Sequence, residues 1–169
     1  MRSLLITGEY GAGKTAVAAE ITHLLAEQGV PSAGIDLDWL CWVGPDLDPV
    51  ALWRVKMGNL RAMVSNFASV DVERVVIAGA LFDVDEREMV AAAVEPADLQ
   101  VVRLEVPSDQ AADRIRRRDV GRELAELLHD SPAVASAVHS AGVEDSSVPN
   151  HDGVAIETVA REVLAAVGW

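Results

Sequence analysis

"LLITGEYGAGKTAVAAEITHLLAEQG", residues 4–29, is an apolar run, then a glycine-studded turn closed by Lys14-Thr15, then a helical pattern. The run Leu4–Thr7 has the length and apolar character of a central parallel strand. After Lys14, Val17, Ile21, Leu24 and Leu25 recur on one helical face, and Gly29 and Pro31 stop the helix. Between strand and helix, "GEYGAGKT" (8–15) fits the pattern G-x-x-x-x-G-K-[ST]. Gly8, Gly11 and Gly13 allow the backbone to curl so that successive N–H groups, through Ala12 and on to Ala16, converge on an anion. The helix adds its positive end to the same point. Lys14 then reaches terminal phosphates and the Thr15 hydroxyl ligates Mg²⁺. A strand before and a helix after make this short match specific, and it predicts binding of a nucleoside triphosphate.

The rest of the chain repeats the strand–helix alternation. "SAGIDLD" (32–38) is a second strand ending in two acids. Asp48-Pro49 is an N-cap with a first-turn proline, opening a helix with Val50, Trp53, Met57, Leu60, Val64 and Phe67 at helical spacing. "RVVIAGAL" (74–81) and "LQVVRLEV" (99–106) are strands three and four, separated by a helix over 85–94. Pro107-Ser108 starts a helix that runs into an arginine cluster. Residues 119–142 form a helical excursion with a second start at Ser131-Pro132 and a stop at Gly142. "SSVPN" (146–150) is a fifth strand, which Pro149 places at a sheet edge. A last helix turns Ile156, Val159, Ala160, Val163 and Val167 inward. This order predicts one α/β domain over residues 1–169, a five-stranded parallel sheet covered by helices on both faces. Ligands then belong beyond the carboxyl ends of the strands.

The chain has 169 residues, half of them apolar, and a net charge of −13. That charge repels polyphosphate and argues against nucleic acid as a partner. The single cysteine, Cys41, cannot form an internal disulfide and is expected to be buried. "MRSLLITG" is too short an apolar run for a secretory signal, and no stretch reaches the roughly 18 apolar residues of a membrane span, so a cytoplasmic location is expected. Five of the fourteen Lys and Arg residues, Arg114, Arg116, Arg117, Arg118 and Arg122, lie within nine positions. Such a concentration suits either a small anion or a solvated helix face. The four histidines show no metal-ligand spacing.

In switches and motors of the phosphate-loop class, a magnesium-handling acid usually ends a core strand such as the third. Here that strand ends "IAGA", and the acids instead end strand two, as Asp36-Leu37-Asp38. Residues two apart on a strand face the same way, so both carboxylates are expected in one site. With "GEYGAGKT", "DLD" and "DRIRRRDVGR" (113–122) in this order, nearly the whole chain resembles the P-loop small-molecule and nucleotide kinases. Adenylate kinase-like, shikimate, gluconate and adenylylsulfate kinases are similarly arranged. The resemblance implies a P-loop NTPase fold with a small helical lid, approximately 114–142. It also implies ATP and Mg²⁺ as cofactors, and transfer of the γ-phosphoryl group to a hydroxyl or phosphate of a small molecule or nucleotide. Matched by motif, Arg114 lies over the adenine and Arg118 touches phosphate, while "PNHDG" (149–153), with Asn150, wraps the adenine edge. Lys14, Asp36, Asp38 and Arg118 become the catalytic set, Thr15 and Asp36 the metal set, and Asp38 the residue that meets the acceptor.

Glu9 and Tyr10 depart from the small residues usual inside such a loop, and Glu9 is expected to face outward. Trp39, Trp42 and Trp53 follow the acids, with core packing the first reading and aromatic walls for a ring-bearing acceptor the second. Arg54 and Lys56 hold an anionic acceptor group or are helix surface charge. Phe82 and Asp83 border the pocket. No acceptor-binding motif of the named kinases is complete, so the acceptor and the oligomeric state stay open. The alternative from another class is an ATP-binding regulatory module or slow ATPase without an acceptor.

Overall fold

The computed structural model describes residues 1–41, 48–118 and 121–169, with the side chains of Arg122 and Glu123 outside that description. Among the described residues, five strands form one all-parallel sheet in the order β2-β3-β1-β4-β5. They are β1 (Arg2–Thr7), β2 (Ser32–Asp36), β3 (Arg74–Ala78), β4 (Asp98–Glu105) and β5 (Ser146–Pro149). The helices are α1 (Lys14–Glu27), α2 (Pro49–Ala68), α3 (Val84–Val94), α4 (Ser108–Arg118), α5 (Gly121–Ala141) and α6 (Ile156–Ala166). No helix among them is long and apolar enough to cross a membrane.

The period of two in β1 divides the core. Leu4 and Ile6 join the cluster under α1 and α6, with Val17, Ile21, Val159 and Val163. Leu5 joins the opposite cluster under α2 and α3, with Met57, Leu60, Val64 and Val90. Leu4, Leu5 and Ile6 are all fully buried, which fixes β1 as the central strand and places the turn after it at the sheet's carboxyl edge. The expected edge strand with Pro149 is present as β5, paired only with β4.

Three local expectations are corrected. β2 ends at Asp36 rather than 38, because the Asp36 carboxylate accepts the Asp38 N–H (2.9 Å) and caps a single 3-10 turn over Leu37–Trp39. Leu37 is buried there against Gly79, where an added Cβ would lie 2.5 Å from Leu37 Cδ1. The second helix start at Ser131-Pro132 does not occur: α5 runs through Pro132 from Gly121 to Ala141. Cys41 is only partly buried.

The turn after β1 is held by the helix beside it. Gly11 has φ +76°, and a Cβ on it would sit 2.5 Å from the backbone oxygen of the buried Ala111 in α4. Gly11→Ala therefore carries both backbone strain and a backbone clash, of the order of 1–3 kcal/mol for the strain alone. Thermal unfolding should show a lower midpoint for Gly11→Ala and a near-wild-type one for Gly58→Ala, where an added Cβ meets open space.

Candidate functional site

Residues 8–13 form a tight turn in which Gly8, Gly11 and Gly13 all take positive φ, at 150°, 76° and 90°. Gly13 caps α1 in the left-handed region with no side-chain hydrogen bond, so the first turn of α1 keeps its N–H groups clear of any capping side chain. Asn150, 5% exposed, donates its Nδ2 to the Ala12 carbonyl (2.8 Å) and leaves no room for a side chain at Gly13. Arg114 binds the Asn150 carbonyl (2.8 Å), the Gly11 carbonyl (3.4 Å) and the Asp152 carboxylate (2.9 Å). Both residues thus brace the loop from beneath.

Lys14 curls over the same loop and donates to the Gly8 carbonyl (3.0 Å) and the Glu9 carbonyl (2.9 Å). Burial of the ammonium pushes it below the ordinary lysine range, opposed by the charges of Asp38 and Asp36; Arg118 pushes further down and Glu9 back up. Lys14 is therefore more enclosed than an open rim position. Glu9 does not face outward as expected. It is half-buried, its carboxyl is raised by burial and lowered by Lys14, and it lines a cavity of about 400 Å³ with Arg103, Glu105, Ser108 and His139.

The acids come together by a different route from strand alternation. Asp36, at the end of β2, accepts the Thr15 hydroxyl (2.7 Å) with one oxygen and the Asp38 N–H with the other. This pair of hard oxygen donors at the N-terminus of α1 fits a magnesium ion, whose preference is for oxygen ligands. Asp38 lies in the 3-10 turn, largely exposed, with Lys56 Nζ at 3.7 Å. Its charge is felt at Lys14, so both carboxylates bear on the loop even though they do not share a strand face. Ala16 is exposed in the first turn of α1.

The aromatic residues that follow Asp38 differ in their exposure. Trp39 is 72% exposed and Phe82 38% exposed, while Trp53 packs partly buried on the α2–α3 core; Trp42 lies outside the described residues. Core packing therefore holds for Trp53 but not for Trp39. Glu86 accepts the Phe82 N–H (2.7 Å) and a Trp53 side-chain hydrogen bond, and Asp83 caps α3 by accepting the Glu86 N–H (2.8 Å). Burial raises the Glu86 carboxyl above the ordinary range, with Asp83 adding to the rise and Lys56 opposing it. Burial also raises the Tyr10 phenol, helped by the charges of Asp38 and of Asp130 in α5. Glu86 was missed because it reads as helix surface; the D-x-x-E spacing of Asp83 and Glu86 is the N-terminal signature that identifies it.

The arginine cluster divides. Arg114 is in the brace, Arg118 lies close enough for its charge to depress Lys14, and Arg116 pairs with Asp113 (2.6 Å) on an exposed face. Arg117 is exposed.

The fold is that of P-loop small-molecule kinases. Shikimate kinase from Bacteroides thetaiotaomicron superposes with a TM-score of 0.71 at 18% identity, over 99% of this chain and 99% of that one. A gluconokinase from Sinorhizobium meliloti 1021 gives 0.64 at 20% identity, over 99% and 91% of the two chains. An APS kinase from Mycobacterium tuberculosis, in complex with AMPPNP and APS, gives 0.60 at 20% identity, over 99% and 98%. No family model matches this chain, and no curated protein matches it in sequence. The likeness is one of fold, and it bears out the resemblance read from the sequence at that level.

Because burial depresses Lys14 from 10.5, its charge is lost at lower pH than that of an ordinary lysine. ATP affinity should therefore fall on the alkaline side before pH 10.5 in the wild type and stay flat in Lys14→Arg, whose guanidinium remains charged. Lys14→Ala should lose about tenfold or more in affinity at neutral pH, the scale of a charge-assisted contact. Calorimetry with ATP and magnesium across pH checks both.

Proposed function

We propose that the protein is an ATP-dependent phosphotransferase acting on a small-molecule acceptor. One observation carries this reading: the Thr15–Asp36 hydrogen bond joins the glycine turn to the end of β2, and Asp38 stands two residues further on. A binding module needs the turn and the metal acid; it has no use for a second, exposed carboxylate beside them.

In this reading the backbone N–H groups of Gly11, Ala12, Gly13, Lys14, Thr15 and Ala16 cradle the phosphates, and Gly8 gives the turn its geometry. Thr15 and Asp36 hold Mg²⁺, which when bound neutralises charge developing on the phosphate oxygens. Lys14 and Arg118 supply the remaining positive charge, since phosphoryl transfer needs positioning and neutralisation more than covalent chemistry. Asp38 orients the acceptor hydroxyl and takes its proton. The hydroxyl oxygen bonds to the γ-phosphorus, the bond from that phosphorus to the bridging oxygen breaks, and ADP leaves. Residues approximately 114–142 act as the lid, with α5 as its moving part, because Arg114 belongs to the brace beneath the loop. Closure excludes water and so favours transfer over hydrolysis. The protein works as one domain over 1–169, in the cytoplasm.

Labelled ATP with magnesium and a panel of hydroxyl-bearing metabolites, nucleosides and nucleotides tests the activity. Label in a product is expected; label only in free phosphate points to a slow ATPase instead. Asp38→Asn should hold ATP affinity within a few-fold and cut transfer by about 10²-fold, the usual scale for a general base. Transfer at full rate in Asp38→Asn removes Asp38 from this role.

A further inference from the structure

Helix α4 is fastened to the glycine turn along one of its faces. Gln110 Oε1 accepts the Asp152 N–H (2.7 Å). One helical turn later, Asp152 Oδ1 accepts from Nε and Nη2 of Arg114 (2.9 and 2.8 Å), and Arg114 also binds the carbonyls of Asn150 and Gly11. Between these points the buried Ala111 sets its backbone oxygen so close to Gly11 that an added Cβ there would lie 2.5 Å away. Asp152 therefore holds α4 twice, by its N–H and by its carboxylate, from the separate segment between β5 and α6. The Arg114 side chain is mostly buried, so this charge-assisted contact is stronger than an exposed pair.

Fixing Gln110, Ala111 and Arg114 also fixes the last turn of α4, because a helix is rigid over such a length. Gln110, Arg114 and Arg118 recur every four residues and share a face, whereas Arg116 is on the opposite side with Asp113. Arg118 is thus carried by a helix that forms one body with the turn. A cation placed in advance needs no ordering when charge develops on the phosphate. We propose that Asp152 is a positioning residue for phosphoryl transfer, which fastens α4 to the glycine turn so that Arg118 stands at the phosphates without waiting for a lid to close. This rests on the phosphotransferase reading and adds to it a residue that acts through α4.

ADP with magnesium and aluminium fluoride mimics the phosphoryl group in transit, and calorimetry with it reads the placement of Arg118 without an acceptor. Wild-type protein should bind magnesium-ADP about tenfold or more tighter with aluminium fluoride than without it. Asp152→Ala should reduce that gain about fivefold or more. Its ATP affinity should hold within about threefold, because Ala111 and Asn150 still brace the turn. Arg118→Ala should show the same loss, and the combined variant no more than either, since Asp152 acts through Arg118. Arg116→Ala should keep the full gain. Amide exchange in α4 of the nucleotide-free protein should quicken about tenfold or more in Asp152→Ala and stay unchanged in Arg116→Ala. A full gain in Asp152→Ala, additive losses in the combined variant, or unchanged α4 exchange would overturn the proposal. No gain from aluminium fluoride in the wild type, with α4 exchange still quickened by Asp152→Ala, would overturn the phosphotransferase reading and leave the fastening of α4 standing.

Discussion

The brace beneath the glycine turn is the constraint on which the rest depends. A turn with three positive-φ glycines is intrinsically loose, and glycine loses more freedom on ordering than any other residue. Here that freedom is removed from three directions: Ala111 packs against Gly11, Asn150 binds the Ala12 carbonyl, and Arg114 ties Gly11 to Asn150 and Asp152. The result is a backbone fixed before any anion arrives, so binding does not have to order it. The turn also defines where Thr15 sits, hence where Asp36 is held, hence where the 3-10 turn carries Asp38.

That chain of dependence explains why two acids close in sequence are held in different surroundings. Both oxygens of Asp36 are engaged, one by Thr15 and one by the Asp38 N–H, which suits a fixed position near a metal. Asp38 keeps its carboxylate on an exposed turn beside Lys56, where it can meet a second substrate. A continuous strand would have pointed both carboxylates the same way; the turn separates them.

Much of this was legible in the sequence, and the failures share a cause. The alternation of apolar runs and helical spacing specified five parallel strands, because burial on both faces leaves few other ways to satisfy such runs. The glycine turn was legible because its chemistry is local. What was not legible depends on partners distant in sequence or on competition between local forces. Asn150 reaches Ala12 across 138 positions, so nothing near it announces a loop brace. Asp36 captures a backbone N–H and ends its strand two residues early, a competition that strand propensity does not express. Ser131-Pro132 has the sequence pattern of a helix start, yet α5 continues through it. Glu9 was expected outside because a carboxylate near phosphates is unfavourable, but the turn's geometry places it over a cavity on the β4 side of the loop.

The central claim is that the braced turn is a phosphate cradle, and amide hydrogen exchange across residues 8–16 tests it most directly. Adding ATP with magnesium should slow exchange at Gly13, Lys14, Thr15 and Ala16, the N–H groups at the start of α1, by far more than at β5 or α6. Unchanged exchange at those four amides under saturating ATP, or protection confined to another part of the sheet, would contradict the account.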